Sequence, residues 1–388
     1  MPITVDRKEK CSGCGICSSV CPKKCISMKM DDEGFRYPEI DFSDCINCGK
    51  CQTICPVLNR PVQSPATEVK DPAEPEIYAS RTADKEVLEA CSSGGIAFVI
   101  ARYYLRMGYI VCGVRMTDDF SHAEHICISS ENELHYLQGS KYIQSDAVAA
   151  YDYIGEILSN GGKVLFFGTP CQIAAVYNRF QKYLSNLVLI DLVCHGVPSQ
   201  ILWDKCREYV TQKYNASIEK VNFRSKEHGW EQFGIKINMD NGKEYYSPKN
   251  KGFIGLFTKN IFLRPACSEC AFKGFDRCSD LTLGDFWGIE MVAPHYDKGR
   301  GVSLIMVNSQ RGGELIRLIE DEIELEKVEC GNLFQYRNKS MIRSVHVPKG
   351  REQYMKDLKC LSYEKLEKKY LSIGFMKRIK RKLKRVLK

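Results

Sequence analysis

Two cysteine runs carry the plainest chemistry in the chain. Cys11-Ser-Gly-Cys14-Gly-Ile-Cys17-Ser-Ser-Val-Cys21-Pro22 recurs as Cys45-Ile-Asn-Cys48-Gly-Lys-Cys51-Gln-Thr-Ile-Cys55-Pro56. In a C-x2-C-x2-C-x3-C-P run, three thiolates surround one 4Fe–4S cluster and the fourth reaches the neighbouring cluster. Two such runs make two complete sites: Cys11, Cys14, Cys17 and Cys55 for one, and Cys45, Cys48, Cys51 and Cys21 for the other. Structural zinc also favours C-x2-C pairs, but four closely spaced cysteines closed by proline, given twice, belong to iron-sulfur chemistry. Cys25 is a ninth cysteine with no vacancy to fill, and reads as a small buried or surface thiol.

Four later cysteines are best weighed together, each a weak signal alone: Cys171 in Gly168-Thr-Pro-Cys-Gln, Cys194 in Cys-His-Gly, and the pair Cys267-Ser-Glu-Cys270. Thr169 reads as an N-cap and Pro170 as the first helical residue, which puts Cys171 at a helix N-terminus where backbone N–H groups favour its thiolate. Cys194 ends the next strand, at the sheet edge where such folds place their sites. On the residues alone the four either ligate a third cluster or are buried structural cysteines, with Cys278 a rival fourth ligand.

Three further motifs are compact and polar. Cys91-Ser-Ser-Gly-Gly95 leads into an apolar-faced helix, and small residues there suit either the close approach of a phosphate or a plain helix start. Gly139-Ser-Lys-Tyr-Ile-Gln-Ser145 either holds a cofactor's ring and phosphates or is a polar loop, and Gly284-Asp-Phe-Trp-Gly288 reads as packing. His195 is the one histidine in a candidate site. No histidine pair has metal-ligand spacing, so a catalytic zinc is not expected.

The elements that must position these residues follow from patterning. The cysteine repeat marks a pseudo-symmetric module over residues 1–58. Pro61, Pro65, Pro72 and Pro75 then give residues 59–76 the composition of an extended linker. Beyond it, Tyr109–Val114, Val164–Phe167 and Leu187–Val193 read as strands. Ile96, Val99, Ile100 and Tyr103, and likewise Ile173, Val176, Tyr177 and Phe180, form helical faces. Asp240-Asn-Gly242 between two apolar runs predicts a hairpin, and Ser303–Asn308 with Gly313–Glu320 a last strand and helix. The expected architecture is an α+β ferredoxin-like module followed by an α/β domain over 77–310 with an antiparallel portion. A C-terminal extension over 311–370, of unassigned fold, and a basic tail over 371–388 complete it.

Composition sets the bounds. The 388 residues include twenty cysteines behind an N-terminus with no apolar signal stretch, which favours metal or redox roles over disulfides. No apolar run approaches the roughly 18 residues of a spanning helix, so a cytoplasmic protein is expected. The net charge of +8 resides in the tail, whose eight Lys and Arg leave residues 1–370 formally neutral, and nucleic acid is not an expected partner. Phe375, Ile379, Leu383 and Val386 or Leu387 align in that tail. They read as a short basic amphipathic helix for an anionic membrane surface, or as a disordered basic end.

Taken in order, the two cysteine runs, C-S-S-G-G, G-S-K-Y-x-Q-S, G-T-P-C-Q, C-H-G-x-P-S, C-x2-C and G-D-F-W-G resemble the family of coenzyme F-420 hydrogenase/dehydrogenase beta subunits over residues 1 to 310. The resemblance implies that the central domain is a flavin-binding domain holding FAD, and that Cys171, Cys194, Cys267 and Cys270 ligate a third 4Fe–4S cluster. It makes Ser93, Gly94, Gly95, Lys141 and Tyr142 flavin-site candidates. Electrons would pass from ferredoxin or another one-electron carrier through the clusters to FAD and a small-molecule substrate. Lys141 would then stabilise reduced flavin or a phosphate, and His195 or Tyr142 would supply a proton. Shorter bacterial members are met in surface-polysaccharide synthesis. The competing expectation is a non-catalytic electron-transfer subunit of a larger complex.

Overall fold

The computed structural model describes residues 3–61, 75–296 and 299–372. In the cysteine-rich module, the helices Ile16–Val20 and Lys50–Thr53 occupy equivalent places in the two repeats. Each follows a glycine in the left-handed region, Gly15 at φ 81° and Gly49 at φ 74°, where a side chain would be strained. Between the repeats, β1 (Ile26–Met30) and β2 (Arg36–Ile40) pair antiparallel with Ile26 opposite Ile40.

The body is built on one mixed sheet. Its strands are β3 (Glu76–Thr82), β4 (Ile110–Met116), β5 (Ala123–Ile128), β6 (Ser145–Asp146), β7 (Val164–Gly168) and β8 (Leu187–Leu192). A separate antiparallel sheet holds β9 (Ile218–Ser225), β10 (Gly234–Met239) and β11 (Glu244–Pro248), and β12 (Leu281–Asp285), β13 (Ser303–Val307) and β14 (Ile323–Lys327) return to the first. The order in the large sheet is β14-β3-β13-β12-β8-β7-β4-β5-β6, with β4, β7, β8 and β12 parallel to one another. β7 is buried along its whole length, as its unbroken apolar run requires of a strand covered on both faces. The helix Ile96–Arg106 covers one face with Ile96, Val99 and Ile100, and Pro170–Arg179 the other with Ile173 and Val176. The expected strands, helices and hairpin are present, with Gly242 (φ 77°) in the turn.

Two features were not anticipated. Cys112 and Cys127 face each other in register on antiparallel β4 and β5 and form a disulfide, whereas composition favoured metal and redox roles for the cysteines. The extension after residue 310 has a fold: β14 adds to β3 at the sheet edge. Met355 and Leu358 of the helix Arg351–Cys360, with Tyr363 and Leu366 of Tyr363–Leu371, enter the core that also holds Trp203, Phe223 and Phe253. The linker prolines at 65 and 72 and the amphipathic tail from 373 lie outside the described residues. Among the described residues no helix is long and apolar enough to cross a membrane.

The module is seated on the body. Ile16 packs among Tyr151, Ile154, Ile173 and Val176, and the ion pairs Lys24–Asp152 (2.8 Å) and Arg351–Glu33 (2.7 Å) also join the module to the body.

Candidate metal centres

The module's cysteines surround two hollows. A cavity of about 230 Å³ is lined by Cys11, Cys14, Cys17 and Cys55 together with Gly13 and Gly15. A smaller one, about 20 Å³, is lined by Cys21, Cys45, Cys48 and Cys51, and by Cys25 as well. Each hollow thus draws three cysteines from one run and one from the other. Burial pushes the Cys17 thiol up to about 12, with the Cys11 and Cys55 sulfurs adding to the rise. Thiols held this way become thiolates when a cation takes the proton's place, which is the chemistry of a metal-binding donor set. The Ile3 backbone N–H donates to Cys51 Sγ at 3.2 Å.

A third set forms on the body from three separate segments. Cys171 sits in the first turn of Pro170–Arg179, behind Thr169 as N-cap and Pro170 as first residue, and its Sγ lies 3.3 Å from Thr169 Oγ1. Cys194 follows β8. Cys267 lies in the turn Pro265–Glu269, and Cys270 ends it. Pairing of Pro198 with Leu263 and a hydrogen bond from Arg264 N to Val197 O (2.9 Å) bring the second and third segments together. Burial pushes Cys171 up to about 12, and the nearby Cys194 and Cys270 raise it further; Cys267 is pushed up to about 12 in the same way, by burial and then by Cys194. Cys278, the rival fourth ligand, lies instead against Tyr177 in the core of the helix Pro170–Arg179.

The first cavity and the third set are neighbours. Burial drives the Cys14 thiol well up, and the sulfurs of Cys17 and Cys171 add to it. Arg264, 1% exposed, stands between them. Its Nη1 donates to Cys11 O (3.0 Å), and its Nη2 to Arg36 O (2.7 Å) and Gln144 Oε1 (3.1 Å), over the Tyr37 ring at 4.6 Å. All three acceptors are carbonyl oxygens, so the guanidinium charge acts on the sulfurs around it: it pulls down the thiols of Cys11, Cys171 and Cys267 against the effect of burial.

The flavin-site candidates also converge. Ser140 N donates to Ser92 Oγ (2.8 Å), joining the loop 139–145 to the loop 91–95. Arg224, buried, donates to the Tyr142 hydroxyl (3.0 Å) and pairs with Asp285 (2.6 Å), while Trp230 donates to the same carboxylate (3.0 Å) and stacks on Trp287 at 4.5 Å. Burial lowers Lys141 to about 7, its ammonium held on the carbonyls of Tyr136 (3.1 Å) and Gln138 (2.8 Å). Ser93 Oγ donates to Val302 O (2.9 Å) and Gly94 N to Ser303 Oγ (3.0 Å), so these two polar groups are engaged inside the fold. Gly95, at φ 82°, serves as the N-cap of Ile96–Arg106. His195 bonds Asn260 Oδ1 (2.6 Å) and Ser340 Oγ (3.2 Å), and its ring meets Phe257, which on another side meets Tyr142.

Residues 10–59 match a 4Fe–4S dicluster domain. Residues 77–151 match the N-terminal part, and 161–331 the C-terminal part, of the coenzyme F-420 hydrogenase/dehydrogenase beta subunit. The chain belongs to this family of beta subunits. One component of an F(420)H(2) dehydrogenase, from Methanosarcina mazei, is 22% identical over 333 residues, covering 83% of this chain and 85% of that protein. A chain of the F-420-reducing NiFe hydrogenase complex from Methanosarcina barkeri aligns with a TM-score of 0.48 at 17% identity, covering 77% of this chain and 92% of its own.

Within this beta subunit three residues at the sites were not singled out from the sequence. Arg264 was missed, although a cation three residues before Cys267 in a C-x2-C segment is a visible pattern. Arg224 and Asp285 were missed because they come together only across 61 residues, from the end of β9 and the end of β12.

Proposed function

We propose that the chain is the electron-transferring subunit of a larger oxidoreductase. Cys21, Cys45, Cys48 and Cys51 hold an outer 4Fe–4S cluster, Cys11, Cys14, Cys17 and Cys55 an inner one, and Cys171, Cys194, Cys267 and Cys270 a third. When bound, such clusters take up and release single electrons. The observation that carries the reading is the order of the cysteine sets: Cys48 is exposed at one end, Cys17 lies near Cys51, and Cys14 lies near Cys171 at the other end. The protein's part is to fix that order, to exclude water with Ile16 and Tyr151, and to place the Arg264 charge between the inner and third sets. As in the relative named as part of a dehydrogenase, the partners in this reading are other subunits.

A second reading makes the chain itself a flavoprotein oxidoreductase. FAD supplies conversion between single electrons and hydride. The convergence of Lys141, Tyr142, Arg224 and Asp285 favours it; the engagement of Ser93 and Gly94 within the fold favours the first. Ferredoxin as donor and a place in surface-polysaccharide synthesis belong to this second reading and rest on the family resemblance. A membrane seat through the basic tail rests on the tail's charge.

Oxygen-free protein separates the two. The first reading expects the dithionite-reduced chain to pass electrons to a one-electron dye yet to reduce no coenzyme F-420 without added subunits. Turnover of F-420 by the isolated chain, with flavin released on denaturation, would establish the second.

A further inference from the structure

Nine cysteines precede residue 56, and the two motif runs account for eight. The ninth, Cys25, is buried and lines the same hollow as Cys21, Cys45, Cys48 and Cys51. Its placement is built into the backbone. Lys24 adopts a left-handed conformation (φ 52°), which non-glycine residues rarely do, and its N–H donates to Cys21 O at 3.1 Å. That turn folds Cys25 back onto Cys21 until the two Sγ atoms are 3.4 Å apart. Asp41 N donates to Cys25 O at 2.8 Å and fixes the residue at the entry to β1.

The internal repeat supplies a comparison within the chain. Cys55 is the counterpart of Cys21, and the residue four further on is Asn59, which carries no thiol, is exposed and donates its side-chain amide to Gln52 O at 2.7 Å. The extra thiol therefore accompanies only one of the two hollows. It is the one that includes Cys48, the exposed cysteine of the eight, and so the one whose ligands oxidants reach most readily.

We propose that Cys25 is a reserve ligand of the outer cluster, able to take the place of Cys21. A sulfur 3.4 Å from the ligand it replaces needs a side-chain rotation and no unfolding of the module. In the exchange the iron–sulfur bond to Cys21 would break and one to Cys25 would form, the proton of the Cys25 thiol passing to the departing Cys21 thiolate; no electron is gained or lost.

This rests on the reading that Cys21, Cys45, Cys48 and Cys51 surround a cluster, and the test separates the two claims. Iron, acid-labile sulfide and low-temperature EPR are measured on the oxygen-free full chain and on Cys21→Ala, Cys25→Ala and the double variant. About eight module irons in the unsubstituted chain support the underlying reading, and absence of the outer cluster there overturns it. Given that cluster, Cys25→Ala and Cys21→Ala each keep the full iron count, while the double variant loses about one to four irons per chain. Equal losses in Cys21→Ala and the double variant overturn the reserve role. If Cys21→Ala does not accumulate, Cys21→Ser against Cys21→Ser/Cys25→Ala makes the same comparison.

Discussion

Arg264 reaches from the segment before Cys267 to the backbone carbonyl of Cys11, 3.0 Å away, so one buried guanidinium joins the first ligand loop of the module to the third cysteine set. Its charge favours the reduced, more negative state of any cluster beside it. Arg264→Gln should therefore lower the midpoint potential of the adjacent clusters by tens of millivolts, as expected of a unit charge several Å away at an effective dielectric of about 20. Redox titration followed by EPR checks this, with iron content as the control; an unshifted potential would place the charge elsewhere.

Asp191, at the end of β8, and Arg277 form an ion pair at 3.0 Å with both side chains almost wholly enclosed. Burial raises the Asp191 carboxyl and Arg277 opposes the rise. Asp191→Asn leaves the guanidinium buried without its counter-charge, which should cost about 3–5 kcal/mol in urea unfolding. Asp191→Asn/Arg277→Met should recover much of that loss.

How much was legible in advance depended on whether one local constraint decides the outcome. The eight motif cysteines were readable because cluster geometry fixes spacing within a short run, and Gly15 and Gly49 recur for the same reason. β7 and the helix after Thr169 were readable from an apolar run and an N-cap followed by proline. The third set was legible only in part: residue types and the C-x2-C pair made Cys171, Cys194, Cys267 and Cys270 candidates with two readings open, and motif order favoured one, because segments so far apart in sequence are related only through sheet order. β14 was missed although Ile-Glu-Leu-Glu-Lys alternates apolar and polar residues, because so short an alternation inside a charged segment is weak until pairing with β3 completes it. The Cys25 turn depends on a left-handed lysine, which no residue type signals.

His125 on β5 is buried against Phe166, its Nε2–H donating to Phe167 O at 3.1 Å, and burial lowers its pKa to about 4. An unfolded histidine titrates near 6.5, so the unfolded chain takes up the proton first as pH falls. The contribution is whole above pH about 6.5 and declines toward pH 4, by on the order of 3 kcal/mol. Urea midpoints at pH 7.5 and pH 5 should fall further for the unsubstituted chain than for His125→Phe; equal falls would contradict this.

Gly94 is a packing residue. A Cβ there would lie 2.4 Å from Ser80 O and 2.7 Å from Ser303 N, backbone atoms of β3 and β13 that cannot swing aside. Gly94→Ala should cost roughly 1–3 kcal/mol in thermal unfolding whether or not flavin is added. Gly139→Ala, where open space surrounds the position, meets only the strain of its φ of 79°, about 1 kcal/mol.

The central claim is that three cysteine sets, not two, carry the electrons. Its most direct test is the iron and acid-labile sulfide content of the oxygen-free protein beside that of Cys171→Ser. The account predicts about twelve irons per chain, falling to about eight in the variant with the module's EPR signals unchanged. About eight irons in both proteins would contradict it and leave Cys171, Cys194, Cys267 and Cys270 as structural cysteines.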